Sequence, residues 1–239
     1  MELADEMISN PPVNPMITGS AHGAGGSGGR KRAVIVRGLR AYPALVLTPS
    51  LPLRTERLDL RPFTASDLAA LHAYFSLPEL HRYVEIGGPP ADLDVTRAVL
   101  ERRRRRTALA EVGDVVQLAV VLRETGQLVG DVVLIWRSAE HRQGEVGYVL
   151  HPDHQGHGYV GEAAAAMLAL GFDTFDLHRI VGRIDARNTA SARVLERLGM
   201  RREAHLRENE MIRGEWTDEV VYAMLAREWH AATGATRPD

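Results

Sequence analysis

Apolar and charged residues begin to alternate near Arg54, where Leu58, Leu60 and Pro62 are separated by Asp59 and Arg61. A period of two marks a half-buried strand. Thr64 stands three residues before Asp67, a spacing at which two polar side chains cap a helix start, so the pattern predicts a helix over 65–75 that buries Leu68 and Leu71. A second helix is predicted over 94–111, carrying arginine at each of positions 102–106. Five in a row face every direction around a helix, which fits a solvated surface or a docking patch for an acidic partner.

Beyond it, β-rich runs at 115–123 and 128–136 flank Glu124, Thr125, Gly126 and Gln127, a hairpin signal. Further strands are predicted at 145–150, 179–185, 200–206 and 217–225, with helices at 159–172 and 189–198. Strands fill the middle and helices interleave later, so the chain reads as α/β (α+β), a mixed sheet covered by helices. Residues 1–50 are different in kind. Pro11, Pro12 and Pro15 precede a run at 19–29 made almost wholly of Gly, Ser, Ala and His, which buries too little surface to offset the entropy of ordering it. They read as a disordered N-terminal arm with apolar patches at 33–36 and 44–47 able to dock, ahead of one domain over 51–232 and a flexible tail over 233–239.

Composition narrows the function. Lys plus Arg number 29 against 31 Asp plus Glu in 239 residues, a net charge of -2, so no global field favours nucleic acid or an anionic membrane. The chain holds no cysteine, which removes disulfides, thiolate metal sites and cysteine nucleophiles and suits a reducing, cytoplasmic setting. No apolar run is long enough to span a bilayer, and no secretion signal opens the sequence. His151, His154 and His157 recur every third residue, but Pro152 and two glycines break any helix that would align them, so no metal is expected.

The clearest chemistry lies where the strand at 145–150 ends. Gln155, Gly156, His157 and Gly158 lead into a helix opening at Tyr159. Glycines permit positive φ and close backbone approach, and unpaired N–H groups at a helix start favour an anion, so this stretch suits a pyrophosphate. A plain strand-to-helix turn is the alternative, since the pattern fits neither the dinucleotide fingerprint nor the P-loop.

That stretch and several others, in order, resemble the GNAT superfamily of acyl-CoA N-acyltransferases. The family's phosphate loop, Gln/Arg-x-x-Gly-x-Gly/Ala, is matched from Gln155 to Tyr159, with Val160 where Gly or Ala is usual. Within the family the chain is similar to the Rim type, which acetylates the N-termini of ribosomal proteins. The opening Arg54-Thr55-Glu56-Arg57-Leu58, the segment Arg187-Asn188-x-x-Ser191, and Gly214-x-Trp216-x-Asp218 with Tyr222 carry that likeness.

The resemblance implies a mostly antiparallel central sheet flanked by helices, with acetyl-CoA as cosubstrate and a primary amine as acceptor, either a peptide N-terminus or a small molecule. It places the backbone of Val149 and Leu150 along the pantetheine arm, the amides of Gln155, Gly156, His157, Gly158, Tyr159 and Val160 on the pyrophosphate, and Asn188 across the arm. Asn188 also suits the cap of the helix that follows. Glu145 stands as the candidate base or as an exposed strand-end carboxylate, and Tyr148 faces the opposite side of the sheet as packing. Many members place a tyrosine seven residues after the asparagine, where this chain has Leu195; the Rim type instead has a serine three residues after it, matched by Ser191, which the resemblance implies as the partner of the departing sulfur, with a plain helix-surface serine as the alternative. A non-catalytic acyl-CoA-binding module is the alternative reading.

Overall fold

A computed structural model of the chain describes residues 46–84 and 88–234. The segments read as arm and tail lie largely outside the described residues, as do Glu85, Ile86 and Gly87. The elements in order are β1 (Leu53–Arg54), β2 (Leu58–Arg61), α1 (Leu68–Phe75), α2 (Leu93–Arg104), β3 (Val115–Leu122), β4 (Leu128–Ser138) and β5 (Gln143–Leu150), then α3 (Tyr159–Ala169), β6 (Arg179–Asp185), α4 (Thr189–Arg197), β7 (Arg201–Ile212), β8 (Glu215–Leu225) and α5 (Ala226–Thr233). The strands form one sheet in the order β1-β2-β3-β4-β5-β6-β8-β7, antiparallel throughout except for β5 beside β6. Among the described residues no helix is long and apolar enough to cross a membrane.

Both faces of the sheet are covered, as the two-sided apolar character of β3 and β4 requires. On one face Ala163, Ala164, Met167 and Leu168 of α3 bury against Leu118, Val132, Leu134 and Val146. On the other, Leu71, Tyr74 and Phe75 of α1 and Leu100 of α2 close over Ala119 and Val121. The entry to α1 forms as its sequence foretells: the Thr64 N–H donates to Asp67 at 2.7 Å, and Arg61 grips the same carboxylate with two bonds of 2.7 Å. A short 3-10 turn at Ala65–Asp67 precedes the α-helix, and Leu68 is only partly buried.

Three expectations are corrected. The second helix stops at Arg104 rather than 111, because the chain beyond is drawn out against its neighbours: the Arg106 carbonyl accepts from Gln117 N–H at 2.7 Å, and Leu109 and Leu47 exchange two backbone bonds of 2.8 and 3.0 Å. Leu47, assigned to the arm, thus contacts the core. The arginine run is not a uniform solvated face either. Arg103 is buried, 2.6 Å from Asp131 and 3.0 Å from the Tyr74 hydroxyl, with its guanidinium over the Phe75 ring. Gln117 donates a further bond of 2.8 Å to Asp131, so a buried carboxylate is matched by a buried cation, as burial of either demands. The third correction is β7, which runs on to Ile212. Arg213 (φ 53) and Gly214 (φ 82) make a two-residue turn into β8, both in the left-handed region that such hairpins need.

Candidate active site

The sheet opens at its single parallel junction. β5 and β6 pair only at Gln143–Arg179, Gly144–Ile180 and Glu145–Val181, whereas β5 stays on β4 as far as Leu150. The His151 N–H bonds the Val129 carbonyl at 2.8 Å, which fixes the alternation along β5. Gly147 and Val149 therefore turn their backbone groups to β4, while Tyr148 and Leu150 turn theirs into the opening. Of the two residues expected to line the cofactor arm, Leu150 presents its backbone there and Val149 points it to β4. Gln155 reaches back across the mouth, donating from Nε2 to the Leu150 carbonyl at 3.3 Å.

The far wall of the opening belongs to α4. Asn188 Oδ1 accepts from the Ser191 N–H at 3.1 Å and caps the helix, which leaves the Asn188 NH₂ without a partner among the described residues. Tyr148 spans the gap to donate from its hydroxyl to the Ser191 carbonyl at 3.2 Å, a link absent from its reading as simple packing. Ser191 is thereby held through both backbone groups, and its own hydroxyl makes no hydrogen bond among the described residues. Burial raises the Tyr148 hydroxyl well above its ordinary value, so it stays protonated. Leu195, where a tyrosine is common, is 1% exposed and packs on Gly182, so close that a Cβ there would sit 2.9 Å from it. No phenol can act from that position.

Gly156 and Gly158 both lie at φ 82, and α3 starts from Gly158. The first helical bond in its ladder runs from the Glu162 N–H to the Gly158 carbonyl at 3.1 Å, so the N–H groups of Tyr159, Val160 and Gly161 precede it and have no partner within the helix. Val160 turns its side chain against the core, so the extra bulk relative to Gly or Ala does not cover those amides. His151 Nδ1 accepts from the Asp153 N–H at 3.2 Å, and His157 stacks on Tyr159 with ring centres 5.6 Å apart.

A clasp that sequence reading missed holds this loop. Glu162 accepts from the Thr55 hydroxyl at 2.5 Å, from the Arg57 N–H at 2.8 Å and from Arg57 Nε at 2.7 Å. Arg57 also donates to the His157 carbonyl at 2.9 Å and lies over the Tyr159 ring. Burial alone would raise the Glu162 carboxyl; the bonds from Thr55 and Arg57 outweigh it and hold the group below its ordinary value. The clasp is accordingly present above about pH 4.3 and is lost as pH falls through the lowered folded value. Glu162→Ala is expected to weaken acetyl-CoA binding roughly 10-fold by calorimetry, about one charge-assisted hydrogen bond's worth. Unchanged affinity in the folded variant would show that the loop keeps its shape without the clasp.

The sheet face beside the opening is dense in charge. Glu145 sits between Arg137 Nε at 2.9 Å and Arg183 Nε at 3.5 Å. Arg183 also holds the buried Glu219 at 3.0 Å, and Arg187 holds the buried Asp185 at 2.7 Å. Glu210 on β7 makes no salt bridge among the described residues; burial of its carboxyl, then Glu219, raise it above its ordinary value, with Glu145 and Asp185 adding and Arg183 opposing. Past the C-terminal end of β6, a cavity of about 300 Å³ is lined by Arg82, Tyr83, Arg187, Ile212, Arg213 and Glu215. Trp216, part of the segment that carries the family likeness, is 60% exposed and is not among them.

Comparison with known proteins agrees with this architecture. The acetyltransferase (GNAT) domain family matches residues 57–201. An uncharacterised N-acetyltransferase of Bacillus subtilis, YnaD, is 33% identical over 177 residues, 74% of this chain and 98% of that one. The ribosomal protein uS5-alanine N-acetyltransferase of Escherichia coli is 31% identical over a shorter stretch, 35% of this chain and 43% of its own length. The crystal structure of a GNAT-family acetyltransferase from Bacillus anthracis superposes with a TM-score of 0.64 at 33% identity, covering 74% of this chain and 99% of that one. With the mixed sheet, the parted strands and these relatives in agreement, the chain belongs to the GNAT family of N-acetyltransferases.

Proposed function

We propose that the chain moves an acetyl group from acetyl-CoA to a primary amine by direct attack, both substrates being bound at once in the opening between β5 and β6. The observation that carries this reading is the parting of those strands after Glu145 and Val181 beside the glycine loop. A buried strand edge leaves amides in need of partners, and the pantetheine arm carries amides of the right kind. The free N–H groups from Tyr159 to Gly161 suit its pyrophosphate. The chain's residues therefore fit the cosubstrate at both the arm and the phosphates.

In the reaction the amine lone pair attacks the thioester carbonyl, a C–N bond forms, the C–S bond breaks, and one proton leaves the nitrogen while the thiolate gains one. For the proton acceptor we favour Glu210 over Glu145. Glu145 is tied into salt bridges with two guanidinium groups, whereas Glu210 is in none among the described residues, and its carboxyl is raised, first by burial and then by Glu219. Ser191, fixed by Asn188 and Tyr148, donates its hydroxyl to the departing sulfur.

Thiol release with a panel of amines tests the whole reading, since a binding module without turnover would take up acetyl-CoA and release none. Ser191→Ala is expected to lower turnover roughly 10-fold at every pH, because the hydroxyl acts after the amine has attacked. A deficit that vanished at high pH would place Ser191 in the proton transfer instead. The name of the Escherichia coli relative makes a protein N-terminus one acceptor class for the panel.

A further inference from the structure

Three elements meet at the 300 Å³ cavity: the chain at Arg82 and Tyr83, the Arg213–Gly214 turn between β7 and β8, and Arg187 at the end of β6. Arg187 directly precedes Asn188, which caps the helix that carries Ser191. Among the described residues the cavity's lining carries three guanidinium groups and one carboxylate. Arg187 is balanced, by Asp185 at 2.7 Å and Glu215 at 3.1 Å. Arg82 and Arg213 are not: among the described residues neither has an acidic partner, and Arg82 only lies over the Tyr83 ring.

The neighbouring His81 does not alter this balance. Burial lowers its pKa, with Arg213 and Arg103 adding to the effect, and outweighs the bond of 2.7 Å between its Nε2 and the Phe75 carbonyl, which favours the charged form. Two uncompensated guanidinium forks in one small cavity match a carboxylate or phosphate and repel a polycation. Beyond the cavity's Ile212 the strand carries a carboxylate. Glu210 lies two residues before Ile212 on an unbroken stretch of β7, hence on the same face and about 7 Å along it.

Resting on the acetyl-transfer reading above, we propose that the acceptor is a small amine bearing a carboxylate or phosphate, its anionic group held by Arg82 and Arg213 and its nitrogen directed toward Glu210. A volume of about 300 Å³ suits a molecule of amino-acid size and is at the small end for ligand sites.

The test uses matched pairs on the full chain with acetyl-CoA present: β-alanine against its amide, and phosphoethanolamine against ethanolamine. Thiol-release rates are expected to show kcat/KM about 10-fold or more higher for at least one anionic partner over its neutral or cationic match, mainly through KM. The Arg82→Ala/Arg213→Ala double variant should bring the pair to parity while acetyl-CoA affinity is unchanged. Arg213→Glu should shift the preference toward ethanolamine. Calorimetric titration of the same compounds needs no turnover and should show the same discrimination and its loss. Equal binding within both pairs, or a preference that survives removal of both arginines, overturns the proposal. Discriminating binding without thiol release from any amine counts against the acetyl-transfer reading and leaves the anionic site standing.

Discussion

Glu210→Gln is expected to lower turnover by about 10²–10⁴-fold at neutral pH, the span usual for a lost general base, with acetyl-CoA affinity almost unmoved. The reason is electrostatic. Glu210 makes no salt bridge among the described residues, and burial and the Glu219 carboxylate, with smaller help from Glu145 and Asp185, outweigh the opposing Arg183 in making it hold a proton. Because its folded value is raised, the base form is scarce at low pH, and activity should climb as pH rises through that value. Above the acceptor's own pKa, about 7.7–8.0 for a terminal amine and 10.4 for a lysine-like one, the amine is free without help, so the variant should regain much of its deficit. Glu145→Gln is expected to cost about 10-fold or less, through disorder of Arg137 and Arg183. Steady-state rates across pH for the two variants decide the matter. A Glu145 variant impaired more than the Glu210 variant, and rescued by high pH, would return the base to the strand-end carboxylate.

Gly158→Val is expected to weaken acetyl-CoA binding by at least about 100-fold, or about 2.8 kcal/mol, while the domain stays folded. At φ 82 a β-branched residue is strained, and the strain falls where the loop passes into α3. A Cβ here would meet only the end of the Arg57 side chain, at 3.4 Å, so the damage is to backbone shape rather than to packing. Relief requires rotating the very N–H groups that would face the phosphates, and each charge-assisted bond lost contributes roughly 1.5–3 kcal/mol. The strain itself, about 1–3 kcal/mol, is smaller than the usual stability of a domain. Circular dichroism and calorimetry on the same sample separate the two effects, and near-normal affinity in a folded variant would show that the loop does not hold the cosubstrate.

Much of the fold could be read from the chain because its signals are local. Leu58 and Leu60 alternate onto the core, the 124–127 turn joins two antiparallel strands, and the strand predicted at 179–185 is found at Arg179–Asp185. What escaped depends on partners far away in sequence. Nothing near Arg103 marks it as buried; Asp131, on another strand, makes it so. Glu162 and Arg57 are 105 residues apart, and only the fold brings them together. β7 is mostly polar because it is the outer strand of the sheet, which hid its length and with it Glu210, although the Arg213–Gly214 pair between residues of extended character was a readable hairpin signal. In the site, the glycine loop and the Asn188–Ser191 spacing were legible, whereas the parting of β5 from β6 is a property of pairing that no single strand displays.

Incubating the full chain with acetyl-CoA labelled in its acetyl group, first alone and then with amine, tests direct transfer most immediately. The account predicts that mass spectrometry finds no label on the protein before the amine is added, and afterwards one labelled acetyl on the amine nitrogen for each thiol released. Label carried by the protein and then passed on would contradict direct attack, and unlabelled amine at full occupancy of the cosubstrate would contradict transfer altogether.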